Sequence, residues 1–125
     1  REIIREGRHP SLNDRFNPVR KRQARLSELD LKQQGELIRA DPLYGHIVCR
    51  CENVSEAEVV RALHGDIPAR SLDGVKRRTR AGQGRCQGGF CTPRIVDIAS
   101  REMNIGKGHV VKSEGKSNVL SGRTK

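Results

Sequence analysis

Aromatic residues are almost missing from this chain: one tyrosine and two phenylalanines make up 2% of its 125 residues, with no tryptophan and a single methionine. Hydrophobic residues of every kind reach 34%. A core with so little large apolar surface barely offsets the entropy of ordering the backbone, so a metal, a disulfide or a partner is expected to supply part of the order. Long apolar runs are missing too. No stretch approaches the about 18 residues of a membrane span, and the basic opening REIIREGRHP holds no apolar segment long enough for a signal peptide. A cytoplasmic location is therefore expected, where clustered thiols stay reduced and bind metal or do redox chemistry more often than they form structural disulfides. No Ser/His/Asp set and no paired carboxylates stand near the cysteines, so hydrolysis has nothing to rest on. The chain contains no internal repeat.

What is abundant is positive charge. Net charge is +10 and the sequence pI about 10.2, which suits an acidic partner or an anionic cofactor. A nucleic-acid partner is not expected, since no binding motif accompanies the charge. The sequence opens at Arg1 rather than at a methionine, which leads us to expect a piece of a longer chain.

Residues 1–26, with RHPSLNDRFNPVRKRQAR, show neither helical nor strand periodicity and read as an extended basic connector. SELDLKQQGELIRADP follows, with Ser27 as the expected N-cap of a helix over 28–40 that ends before Pro42. YGHIVCRCENV is a short β-rich run, and SEAEVVRALHG supplies a capping box, Ser55 with Glu58, and a stop at Gly65. A further helix is expected over 72–80, terminated by Gly82 and Gly84. TPRIVDIASREMNIG opens the last one, with Thr92 as N-cap and Pro93 at the first helical position. After Gly106 two weak strands, Val110 to Lys112 and Asn118 to Leu120, flank a Gly/Ser turn. The fold class is mainly α: a small helical domain with cysteine-bearing loops at helix ends, an extended N-terminal linker and a short β-hairpin-like C-terminal tail. Three regions are expected: a linker plus helix over 1–42, the domain proper over 43–106 and a tail over 107–125.

All four cysteines lie in two pairs, Cys49 with Cys51 and Cys86 with Cys91. The pattern C-x-C, then C-x4-C, brings thiolates from two separate turns, as tetrahedral ligation requires. Structural zinc usually takes C-x2-C knuckles, and neither pair has that gap. A two-iron cluster accepts one tight and one wider pair, so spacing favours it, while zinc, a disulfide or free thiols stay open. Such a cluster carries about −2 charge, falling to about −3 on reduction. Arg61, Arg70, Lys76, Arg77, Arg78, Arg80 and Arg85, against only Asp66 and Asp73, either form a solvated face or stabilise that anion and dock an acidic partner. Gly82, Gly84, Gly88 and Gly89 either make a flexible loop or let backbone N–H groups reach sulfur. Cys91, one residue before the expected N-cap, stands where the helix dipole favours a thiolate. GQGRCQG is one residue too long for a dinucleotide fingerprint and follows a helix, not a strand. His46, three residues before Cys49, is a weaker candidate ligand.

IVCRCENVSEAEVVRAL, LDGVKRRTRAGQGRCQGGFC and TPRIVDIASREM closely resemble the bacterioferritin-associated-ferredoxin-like (BFD-like) [2Fe-2S] domain. This version resembles the one at the C-terminal end of FAD-dependent, anaerobic-type glycerol-3-phosphate dehydrogenases and their relatives. The resemblance covers about residues 43–105 and is weaker in the flanks. It implies that Cys49, Cys51, Cys86 and Cys91 ligate the cluster in a small helical fold, and that FAD and substrate belong to an upstream domain of the same chain. It implies also a role as an electron-transfer module, passing single electrons from flavin to an acceptor protein or a quinone-linked membrane subunit, with the protein cytoplasmic or peripheral to the inner membrane through that partner. The alternative is a structural zinc-binding interaction module using the same four cysteines.

Overall fold

The structure is a computed structural model that describes Arg15, Val19 and residues 23–122. Most of the expected basic connector lies outside the described residues. A single 3-10 turn, Leu26–Glu28, leads into helix α1, Leu31–Ala40. The helix starts three residues later than the sequence suggests, and its N-cap is Asp30, not Ser27. Asp30 accepts from the Gln33 backbone N–H (2.8 Å) while the Gln33 side chain accepts from the Asp30 N–H (3.1 Å). That reciprocal pair satisfies two otherwise orphaned donors. Ser27 has Asp30 three residues on and therefore no Glu or Gln to complete the same box.

A second 3-10 turn, Pro42–Gly45, brings Tyr44 into the interior, where it, Leu26 and Ala57 form a small apolar cluster flanked by Leu37, Leu43 and Ile47. Strand β1, Ile47–Cys49, then pairs antiparallel with β2, Val54–Ser55, with an irregular register between Ile47 and Cys49. Helix α2, Glu56–His64, begins at the expected Ser55/Glu58 capping box and stops at Gly65. Helix α3 spans Leu72–Thr79 and ends on Arg80, which takes the left-handed conformation (φ 70°) in place of the glycine that usually closes a helix. The expected stops Gly82 and Gly84 therefore lie in the following loop.

Helix α4, Thr92–Met103, has Cys91 itself at the N-cap position. Thr92 is the first helical residue rather than the cap, so the helix begins one residue earlier than the sequence suggests. Helices α2, α3 and α4 bury Val59, Leu63, Val75, Ile95, Val96, Ile98 and Ala99 together with Val48, Val54, Cys49 and Cys91. Two of the four cysteines are thus part of the main core.

After the last helix a 3-10 turn, Lys107–His109, sends the tail back across α3. The two expected strands reduce to one antiparallel bridge, Val111 with Asn118. The reason lies in where the backbone bonds go: the carbonyls of Val111 and Lys112 accept from Leu72 N–H (3.0 Å) and Asp73 N–H (2.9 Å), the orphaned donors at the start of α3. Hairpin shape survives, and ladder length does not. Among the described residues no helix is long and apolar enough to cross a membrane.

Candidate metal centre

Each cysteine is placed by a different local device. Cys49 ends β1, Cys51 lies in the turn between β1 and β2, Cys86 sits in the loop after α3, and Cys91 caps α4. All four line one cavity of about 650 Å³. Cys49 and Cys91 are each 1% exposed, whereas Cys51 is exposed and Cys86 half-buried. The cavity thus has a dry floor and an open edge.

The sulfurs fall into two pairs, each drawn from both segments. Cys51 Sγ–H donates to Cys86 Sγ at 3.6 Å. Burial, and then the Cys49 thiol beside it, push the Cys91 thiol up to about 11. Two thiolates on one tetrahedral metal with bonds of about 2.3 Å stand about 3.8 Å apart, so the Cys51–Cys86 separation suits a shared ion. Among the described residues no three His, Cys, Asp or Glu side chains converge on a position for one ion. Four sulfurs in two pairs around one cavity suit a group with two metals better than a single tetrahedral ion.

Backbone shape holds this arrangement. A Cβ at Gly84 would lie 2.2 Å from Cys51 Cβ, so only glycine lets the second loop pass over the first cysteine turn. Gly88 takes φ +86°, a conformation that strains any other residue, and a Cβ there would stand 2.8 Å from Thr92 Oγ1, which would have to shift. The chain then turns its N–H groups inward. The Cys86 thiol is held below its ordinary value by the Cys51 hydrogen bond first, and then by backbone N–H groups of Gly88, Phe90 and Gly89. These donors favour thiolate over thiol, which is the form a metal requires.

Two arginines tie the cysteine segments together. Arg80, at the left-handed end of α3, reaches Glu52 beside Cys51 at 2.7 Å. Arg94, in the first turn of α4, donates to the Ile47 carbonyl of β1 at 2.9 Å. Of the seven cations counted over 61–85, only Arg85 lines the cavity. Arg61 stacks on Tyr44 (4.9 Å to the ring centroid) and pairs with Asp41, while Arg78 donates to the carbonyls of Ile67 and Gly74. Arg50, Arg94 and Phe90 also line it and escaped the sequence reading. Arg50 had a signal, since the middle residue of C-x-C must stand between two ligands. His46 stays outside the cavity, with Nδ1 3.2 Å from Glu56 Oε2.

Residues 47–101, which contain all four cysteines, match the model of the BFD-like [2Fe-2S] binding domain. The matched segment belongs to that family. Its function as an electron-transfer iron–sulfur domain follows, and zinc is the less favoured occupant. A glycerol 3-phosphate dehydrogenase of Caloramator mitchellensis is 44% identical over 112 residues, which is 90% of this chain and 23% of that protein. Hydrogen cyanide synthase subunit HcnB of Pseudomonas aeruginosa is 42% identical over 73 residues, 55% of this chain and 14% of that protein. A subunit of the anaerobic glycerol-3-phosphate dehydrogenase of Escherichia coli K12 is 39% identical over 59 residues, 47% of this chain and 11% of that protein. The chain therefore spans less than a quarter of the length of these curated relatives. No solved structure matches it. The iron–sulfur domain is thus one part of larger dehydrogenase chains among its relatives.

Proposed function

We propose that Cys49, Cys51, Cys86 and Cys91 would hold a [2Fe-2S] cluster, Cys49 and Cys91 from the buried floor of the cavity and Cys51 and Cys86 from its open edge. The observation that carries this reading is the two-pair arrangement of sulfurs around one cavity within the matched segment. When bound, the cluster takes up and gives back one electron at a time. The protein's part is to hold four thiolates, aim the loop N–H groups at Cys86, bury the inner pair and leave the outer pair accessible. Arg50, Arg85 and Arg94 place positive charge around an anion whose charge grows on reduction. Arg94 in particular stands at the positive end of α4, where a cation is unfavourable unless a nearby anion compensates it.

At the level of the parent chain, the module serves an FAD-dependent glycerol-3-phosphate dehydrogenase-like oxidoreductase. Similarity to the Caloramator enzyme over 90% of this chain supports that parent. Residues 43–106 are the cluster module, 1–42 the link to the upstream flavin and substrate domain, and 107–125 a tail. In such a parent, FAD would take up the substrate's electrons upstream, and the four cysteines of this module would hold the cluster that passes them singly to an acceptor protein or a quinone-linked membrane subunit. The protein works in the cytoplasm or at the inner membrane surface through that partner. The HcnB similarity carries one qualification on substrate: the same module recurs in a protein with another name, so substrate choice resides upstream.

The test uses the parent enzyme with each cysteine changed in turn to serine. Flavin reduction by glycerol 3-phosphate under anaerobic conditions should persist, while transfer to a one-electron acceptor is lost and the cluster's visible absorption disappears. A variant with full absorption and full transfer would remove that residue from the ligand set.

A further inference from the structure

We infer that the open edge of the cysteine cavity is a docking surface for an acidic one-electron carrier protein, anchored by Phe90 and steered by Arg50 and Arg85. The inference rests on the cluster reading and adds to it where the electron leaves and what kind of surface receives it. Exposure sets the place. The inner pair, Cys49 and Cys91, is sealed at 1% exposure, and Cys51 is the exposed cysteine, so a partner approaches the centre through the Cys51–Cys86 edge.

Charge sets the partner. Three arginines line the cavity, Arg50, Arg85 and Arg94, and no carboxylate does. Arg50 and Arg85 form no ion pair with a carboxylate among the described residues, whereas Arg61 and Arg80 each have one and Arg101 has two. Unpaired guanidiniums beside an open edge attract a negatively charged surface, speed its encounter and fix its register. Phe90 supplies the apolar contact. It is 84% exposed, immediately precedes the buried Cys91 and stands on the same rim. An exposed aromatic that lines the same cavity as three arginines has the composition of an interface core, with Phe and Arg enriched where charged Lys, Glu and Asp are depleted.

A reduced cluster held by the four cysteines would give up one electron in this step, and the carrier's centre would gain it. No bond is formed or broken in the protein. Arg50 and Arg85 pair with carboxylates of the carrier while Phe90 fills an apolar hollow at the centre of the contact.

The experiment uses the cluster-loaded chain with an acidic flavodoxin as probe, and reads the dissociation constant by calorimetry at low and at high sodium chloride. Iron content and visible spectrum are recorded on each sample. Binding at low salt should weaken by at least ~10-fold at high salt, by at least ~10-fold in Arg50→Glu/Arg85→Glu, and by a similar factor in Phe90→Ala, which leaves the charge unaltered. Arg39→Glu/Arg77→Glu, matched in charge but outside the rim, should change the constant less than ~3-fold. Equal losses from both charge reversals, an unaffected Phe90→Ala, or no binding at low salt overturns the docking surface. If the rim arginines serve only to balance cluster charge, their reversal moves the reduction potential and leaves the constant unchanged, which also overturns it. A colourless, iron-free chain after reconstitution contradicts the cluster reading instead, so the two failures are distinct.

Discussion

Gly84 and Gly35 show how unequal two glycines of one chain are. At Gly84 a single methyl group would press on the Cβ of Cys51 at 2.2 Å, and both atoms are fixed to backbone, so neither can swing aside. Gly84→Ala is expected to separate the two cysteine segments and cut bound iron at limiting supply by at least ~5-fold, the ratio set by about 1 kcal/mol of overpacking, with helical circular dichroism retained. Full iron occupancy in that variant would contradict the close approach. Gly35 lies inside α1 with open space where its Cβ would stand. Gly35→Ala should therefore stabilise the chain by about 0.5–1 kcal/mol, read as a rise in melting temperature, because alanine reduces the freedom of the unfolded chain and clashes with nothing. Of the residues around the centre, the four cysteines were legible because their spacing alone implies two turns. Arg94 and Phe90 were not, because which helix face meets the cavity depends on packing that a linear charge count cannot resolve.

Between elements, one ladder of ionic contacts joins α2 to α4. His46 Nδ1 and Arg101 Nη2 lie 3.2 and 2.7 Å from the Glu56 carboxylate, and Arg101 Nε and His64 Nε2 lie 2.9 and 2.8 Å from that of Glu102. Partial burial alone would raise Glu56, but hydrogen bonds from Arg101 and His46 outweigh it and hold its carboxyl below the ordinary value of 4.5. Glu102 is held low by His64 first and then by Arg101. A carboxyl depressed in the folded state adds stability that is present above its unfolded value and lost as pH falls through the folded one. The melting temperature should accordingly drop as pH falls below about 4.5, and Glu56→Gln/Glu102→Gln should flatten that part of the profile while leaving a lower plateau at neutral pH. An unchanged acid slope in the double variant would place the sensitivity elsewhere. Element starts were legible where one residue had a complete capping partner, as at Ser55 with Glu58. The start of α1 was misread because Ser27 and Asp30 both suit a cap, and only Gln33 decides between them. The tail strands were overread because their hydrogen bonds serve the start of α3, a long-range demand that local β propensity does not reveal.

For the whole molecule, the scarcity of aromatic and large apolar residues has a structural counterpart: two of the four cysteines sit inside the main core, so a cluster held by them would share its stability with the fold. Removing the cluster with a chelator and oxidant should lower the melting temperature by about 10 °C or more, from a few kcal/mol of linkage at about 4 °C per kcal/mol in a domain of this size. An apo form that melts with the holo form would mean that the helices need no metal. The most direct test of the cluster itself is a count of iron, acid-labile sulfide and zinc per chain in anaerobically purified protein, with its visible absorption followed before and after dithionite. The expected result is red-brown protein with about two irons and two sulfides per chain, bleached on reduction. Colourless protein holding about one zinc and no sulfide, even after reconstitution, would contradict it.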